Sequence, residues 1–288
     1  MGYTLHREEL EHQSRTRTYL LIKPDNLPDN PDIVLYFHGS LQSANVSRRF
    51  TNGTFDELAE KCGCLVAYPD GVDRHFNDAR GILPVTAREE NVDDVGFTRA
   101  LVERLRRDYS AGRVFACGYS NGGQMVLRLL FDAPGLLSAA CIFASTLGRG
   151  DNHRPSNPDS ALQPTPVLLL HGTEDPYAPY AGGTAGLDAR RTRGDVTSAA
   201  ETAIRLAELN GASPEPETSR PYPGVRAETW GGDSPVVLWT MEGLGHVVPS
   251  GNEVDPRLGP NTQEFIAAEV AANFFGLAGR TALPGELG

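Results

Sequence analysis

Surplus positive charge is what this chain most plainly lacks. Against 37 Asp and Glu stand only 26 Lys and Arg, giving a formal charge of −11 and a pI near 5.1. Nucleic acids and anionic membrane surfaces are held through excess Lys and Arg, so neither is expected as a partner. Long hydrophobic runs are missing too, since nothing approaches the ~18 apolar residues of a membrane span. Residues Met1 to Leu20 are polar and charged, without the apolar centre of a secretory leader. The expectation is a cytoplasmic protein, or a secreted one if a leader preceded Met1. Cysteine is scarce: Cys62 and Cys64 are too close to bridge each other, and Cys117 and Cys141 lie in apolar runs. Free thiols are expected, with no disulfide framework. No third Cys or His accompanies the first pair, so no metal or other cofactor is expected.

What is there is an alternation of buried runs and amphipathic stretches. Arg15 to Pro24 alternates like an exposed antiparallel strand, and Ile33 to Phe37 is continuously apolar, as in a strand covered on both faces. A helix is read over Phe55 to Lys61 and a strand over Cys64 to Tyr68. After the polar loop Val72–Asn91, Asp93 or Asp94 caps a helix carrying Phe97, Leu101, Val102 and Leu105 at helical spacing. Strands follow at Arg113–Gly118, Leu137–Ala144, Val167–Leu170 and Val236–Met241, with helices at Val196–Leu209 and Thr262–Phe275. The order predicts one α/β domain over residues 1–276, a mostly parallel sheet with helices on both faces, and a flexible tail at 277–288. Ligand sites in such sheets lie beyond the carboxyl ends of the strands. The loops Val72–Asn91, Thr146–Thr165 and Asp175–Gly194 leave from those ends and should surround the site.

One segment carries chemistry on its face. Ala116-Cys117-Gly118-Tyr119-Ser120-Asn121-Gly122-Gly123 places a serine in Gly-x-Ser-x-Gly, between the run Val114-Phe115-Ala116 and a helix-compatible stretch from Gln124 to Phe131. A strand, a sharp turn and a helix hold such a serine in strained backbone geometry and lift its hydroxyl clear of the sheet. The hydroxyl needs a base, and the base a carboxylate to fix its tautomer. His246, in Gly243-Leu244-Gly245-His246 past the last strand, is where the chain order Ser, Asp, His puts the base. The carboxylate should follow Val167–Leu170, where His171-Gly172-Thr173-Glu174-Asp175-Pro176 offers Glu174 or Asp175. Asp175, in a turn before proline, is the choice, and His171 reads as structural. Two donors must face the developing oxyanion. The Asn121 N–H, at the head of the helix, is one; the Ser40 N–H, in His38-Gly39-Ser40, is the other, with His38 as a prop for that loop. Tyr119 fits either an acyl-pocket wall or packing under the turn, and Phe76, Tyr177 and Tyr180 are candidate substrate walls.

Six motifs in register carry a resemblance: His38-Gly39-Ser40, Tyr68-Pro69-Asp70-Gly71, Val92-Asp93-Asp94-Val95-Gly96-Phe97, Gly118-Tyr119-Ser120-Asn121-Gly122-Gly123, His171-Gly172-Thr173-Glu174-Asp175 with Pro179-Tyr180, and Gly243-Leu244-Gly245-His246. From about Arg15 to Phe275 the chain resembles the branch of the α/β-hydrolases that holds feruloyl esterases, acetylxylan esterases and polyhydroxybutyrate-depolymerase-like proteins. The resemblance implies Ser120 as nucleophile, Asp175 as acid and His246 as base, in a fold without a large lid domain. It departs from the branch at Val247-Val248-Pro249, where relatives often carry Trp, and at Phe76-Asn77-Asp78, where many have Trp-Asn. The expected function is a serine hydrolase acting on a small-molecule or oligomeric carboxylic ester. Amide hydrolysis on the same machinery, or a binding protein that has lost catalysis, are the alternatives.

Overall fold

In the computed structural model, which describes residues 2–186 and 191–277, the buried runs become strands and the amphipathic stretches helices. In chain order the elements are β1 (Tyr3–His12), β2 (Arg15–Pro24), β3 (Ile33–Phe37), α1 (Ala44–Phe50), α2 (Thr54–Cys62), β4 (Leu65–Pro69), α3 (Thr86–Glu89), α4 (Asp94–Tyr109), β5 (Val114–Tyr119), α5 (Asn121–Asp132), β6 (Ala139–Phe143), β7 (Val167–Gly172), β8 (Gly183–Gly186), β9 (Thr192–Val196), α6 (Ala199–Asn210), β10 (Glu217–Tyr222), β11 (Val225–Trp230), β12 (Val236–Met241) and α7 (Ala267–Phe274).

Ten strands form one sheet in the order β1-β2-β4-β3-β5-β6-β7-β12-β11-β10, with β8 and β9 as a separate two-stranded ribbon. The six strands from β4 to β12 are mutually parallel, and antiparallel pairs close both edges. The middle strands β3, β5, β6 and β7 are buried along their whole length, as a sheet covered on both faces requires. One core layer takes side chains of α4, α5 and α6, and the other those of α2 and α7. Asp93 caps α4 by accepting from the Gly96 N–H at 2.8 Å, and α6 opens with a reciprocal Ser198–Glu201 capping box.

The structure differs from expectation at the rims. β1 arises from a charged segment with no apolar run, because its ladder with β2 along the whole strand needs no burial, with Leu10 packed on the core and His12 bonded to Asp93. The hairpin β10–β11 extends the sheet past β12, and Val196 ends β9 instead of opening α6. α7 starts at Ala267, five residues after Thr262, because the Ala267 N–H is taken by the Pro249 carbonyl. All four cysteines are buried and unbridged, Cys117 opposite Cys141 on neighbouring strands. Of the tail foreseen at 277–288, only Leu277 falls among the described residues.

Candidate active site

The chain reverses strand order around β3, with β4 on one side and β5 on the other, so the loops after β3 and β5 leave from adjacent strand ends. Ser120 sits at the second of these. Its backbone, at φ 55° and ψ −117°, lies where a side-chain-bearing residue is strained. Neighbours hold it there: its N–H donates to the Phe143 carbonyl at 3.0 Å, and its own carbonyl accepts from the Ser145 hydroxyl at 2.7 Å and the Gln124 N–H at 2.9 Å. The turn closes because Gly122 lacks a side chain. A Cβ there would fall 2.0 Å from the Phe37 carbonyl oxygen and 2.6 Å from that of His38, so the first turn of α5 is driven against the end of β3.

That contact sets the start of α5, where Asn121 lies, against the end of β3, from which the loop of Ser40 leaves. The Asn121 N–H is one of the free amides at the start of α5, where the helix dipole is positive. The loop after β3 is folded in by Gly39, whose Cβ would lie 2.7 Å from the Tyr119 ring, and by Leu41 N–H donating to the Arg74 carbonyl at 3.1 Å. Among the described residues, neither the Ser40 nor the Asn121 N–H donates to a protein acceptor. His38 supports this loop as expected. Its Nε2 accepts from the Gly71 N–H at 3.0 Å, so its Nδ1 carries the proton to the Gly39 carbonyl at 2.8 Å. Burial lowers its pKa to about 4.

Asp175 and His246 meet on the loops after β7 and β12, parallel neighbours in which Gly172 pairs with Met241. His246 Nδ1 lies 2.7 Å from Asp175 Oδ2. A carboxylate can only accept, so Nδ1 bears the proton and Nε2 keeps its lone pair. Asp175 Oδ1 accepts from the Tyr177 and Ala178 N–H groups, both at 2.8 Å. His171 Nε2 stands 3.4 Å from Oδ2 while bonding the Ala178 carbonyl at 2.7 Å. Burial alone would push the Asp175 carboxyl up; the charge of His246 and the hydrogen bonds of both imidazoles offset this and hold it below the usual carboxylate range. Glu174 is exposed, whereas Asp175 is buried.

The aromatic candidates divide. Tyr119 is buried, stacks on Phe50 at 4.9 Å between centroids, and donates its hydroxyl to the His246 carbonyl at 2.8 Å. The residue before Ser120 is therefore bonded directly to the His246 backbone. Phe76 is wholly buried against Phe37 and His38 and cannot be a substrate wall. What turns it inward is Asn121, whose side chain clamps the Phe76 backbone, accepting from its N–H at 2.8 Å and donating to its carbonyl at 3.0 Å. Tyr180 bonds Thr240 at 2.6 Å behind the Asp175–His246 pair, where it packs edge-on to His171. Tyr177 remains beside His246, half-buried, its ring 5.4 Å away and perpendicular. Sequence reading missed the side chains of Asn121 and Ser145, whose roles come from contacts distant in the chain. Only the first left a signal, its place directly after the serine. Val247 and Val248, where relatives often carry Trp, are both buried.

Comparisons with known proteins agree with this architecture. The model of a phospholipase/carboxylesterase family matches residues 95–192, which include the serine turn. A protein of Nocardia uniformis subsp. tsuyamanensis, provisionally named as esterase NocK, is 29% identical over 284 residues, covering 90% of this chain and 79% of that one. An acetyl xylan esterase from Aspergillus awamori superposes with a TM-score of 0.68 at 18% identity, over 96% of this chain and all of that one. An S-formylglutathione hydrolase from Agrobacterium tumefaciens does so with a TM-score of 0.57 at 13% identity, over 98% and 96%. With its parallel sheet covered by helices and its strained serine between strand and helix, the chain has the α/β-hydrolase fold, and the proteins it is similar to are esterases and related hydrolases.

Proposed function

We propose that the chain hydrolyses carboxylic esters through an acyl-enzyme, with Ser120 as nucleophile, His246 as general base and Asp175 as the acid that orients it. One observation carries the reading. The 2.7 Å contact of His246 with Asp175 lies at the same sheet edge as Ser120, and Tyr119, next to the serine, is bonded to the His246 backbone. His246 Nε2, left with its lone pair, takes the proton of Ser120 as the hydroxyl attacks the acyl carbon. The N–H groups of Ser40 and Asn121 receive the negative charge that develops on the carbonyl oxygen. His246 then protonates the departing alcohol, and the same steps run in reverse with water to release the acid. Asp175 stabilises the imidazolium at each stage. Every step is carried by groups of the chain itself.

The naming of NocK as an esterase supports this activity, and the fold shared with the Aspergillus awamori enzyme is compatible with it. Of the four aromatics considered as substrate walls, Phe76 is buried in the core, Tyr119 is buried with its hydroxyl on the His246 carbonyl, Tyr180 is bonded to Thr240, and Tyr177 is left half-buried beside His246. That favours short acyl esters, such as acetates, over hydroxycinnamates, which need a broader stacking platform. The test is Ser120→Ala together with a fluorophosphonate probe. Wild type should turn over p-nitrophenyl acetate and bind the probe covalently, and the variant should do neither. A variant that turned over the ester at the wild-type rate would remove Ser120 from the mechanism.

A further inference from the structure

The order of strands sets the base far from the serine it must serve. In the sheet β12 stands three places from β5, beyond β6 and β7, a span of about 14 Å at the ~4.8 Å spacing of neighbouring strands. The loop after β12 nonetheless brings the His246 ring to 5.0 Å, between centroids, from that of Tyr119 at the end of β5. Most bonds of this loop hold it elsewhere. The Gly243 N–H donates to the Thr173 hydroxyl at 2.8 Å, the Leu244 carbonyl accepts from the Glu174 N–H at 2.9 Å, and the Gly245 and His246 N–H groups donate to the carbonyls of Pro260 at 2.8 Å and Leu258 at 2.6 Å. Among the described residues, a single hydrogen bond joins it to the nucleophile strand: the Tyr119 hydroxyl donates to the His246 carbonyl at 2.8 Å.

The phenol that makes this bond is itself pinned. Its ring is buried and stacks on Phe50 with centroids 4.9 Å apart, and the loop of Ser40 lies so close to it that a Cβ on Gly39 would fall 2.7 Å from the ring. A phenol held by its ring can put its oxygen in one spot only. Burial first, and then the charge of Asp175, push the Tyr119 hydroxyl well above its ordinary pKa, so it keeps its proton and donates throughout the neutral range. Tyr119 and Ser120 are consecutive, so a movement of the serine turn carries this tether with it.

We propose that Tyr119 is a positioning residue for the reaction: its hydroxyl holds the His246 backbone in register with Ser120 and so sets the reach of Nε2 to the serine hydroxyl. It touches no reacting atom. The inference rests on the esterase reading, and it gives the residue before the serine a task that packing under the turn would not require. His246 Nε2 serves the attack of Ser120 and the later attack of water alike, so a base out of register slows both steps together. The loss then falls on kcat and leaves KM unchanged.

The test is Tyr119→Phe, which removes the hydroxyl and keeps the ring on Phe50. Hydrolysis of p-nitrophenyl acetate, with reactive serines counted by exhaustive fluorophosphonate labelling, gives kcat per competent site. It should fall roughly ten- to a hundredfold with KM unchanged, the scale of a displacement of about 1 Å at a reacting pair. Wild-type kcat, or a loss that lies in KM, would overturn the assignment and leave the esterase standing. If Tyr119→Phe does not fold, Phe50→Leu takes its place, since it frees the ring and keeps the hydroxyl: a smaller fall in kcat at constant KM supports the tether, and an unchanged kcat refutes it. If wild type turns over no ester, the esterase reading fails, and crystal structures of wild type and variant decide the tether alone. A His246 ring displaced relative to Ser120 in the variant would support it. Superimposable sites would refute it.

Discussion

Asp175→Asn is the substitution that most sharply separates a carboxylate that merely holds His246 from one that sets its tautomer. The structure dictates how the new amide lies. Two backbone N–H groups, of Tyr177 and Ala178, point at Oδ1 from 2.8 Å, and only an oxygen can satisfy them. The amide NH2 must therefore take the place of Oδ2, 2.7 Å from His246 Nδ1. There it donates, and the imidazole responds by moving its proton to Nε2. The base then meets Ser120 with a proton where it needs a lone pair. If only a charge-assisted hydrogen bond were lost, about 1.5–3 kcal/mol, the rate would fall roughly ten- to a hundredfold. Reversal of the tautomer deepens the loss in kcat to about 10⁴-fold. Steady-state hydrolysis of p-nitrophenyl acetate, with thermal unfolding to show that the variant is folded, reads the difference. A folded variant that lost less than about tenfold would refute the reasoning, because His246 would not depend on Asp175 for its proton.

Two further outcomes follow from the same geometry. Gly122→Ala, whose Cβ would lie 2.0 Å from the Phe37 carbonyl oxygen, should destabilise the fold by about 3 kcal/mol or more, since neither β3 nor α5 can yield at that point; urea unfolding at neutral pH that matched wild type would contradict the closeness of that contact. His38, wholly buried, makes folding acid-sensitive: its pKa is lowered from 6.5 to about 4, so between those values the unfolded chain binds a proton that the folded chain refuses. Stability should therefore be fully present above pH 6.5 and decline by about 3 kcal/mol on acidification to about pH 4. Urea titrations across that range should show a shallower decline in His38→Gln, and parallel slopes would argue against the assignment.

The sequence carried the centre of the sheet well and its margins poorly, for a physical reason. Strands covered on both faces, such as Ile33–Phe37 and Val167–Leu170, must be apolar throughout, and that composition survives without any knowledge of neighbours. Edge strands owe nothing to burial. β1, with Arg7, Glu8, Glu9 and Glu11 along it, is defined by its ladder with β2, and it sends Leu10 to the core as one isolated apolar residue that leaves no run to read. The hairpin β10–β11 is hidden similarly, with Pro221 near its turn and exposed residues along β10. At the site, motif spacing located Ser120, Asp175 and His246 as candidates, and the fold brings the second and third into contact. The inward turn of Phe76 was not legible, because an aromatic in a polar loop reads the same whether it faces substrate or core. Its direction is set by Asn121, 45 residues later.

The clamp by Asn121 has a consequence for how such a site can change. This residue does two unrelated jobs with separate parts. Its backbone N–H, which any amino acid would supply, makes no hydrogen bond to the chain among the described residues, while its side chain fastens the loop of Phe76 and Asp78 onto the serine turn. The region beside the nucleophile is thus split into a welded half and an adjustable one. The welded half runs from Ser40 through His75 to Asn121, and mutation there would disturb the chemistry together with the substrate. The ribbon of β8 and β9, joined to the site through Tyr177, lies outside the weld. Selection for a new ester has freer play on that side, where a side chain can be exchanged while the serine, its base and its amides stay where they are.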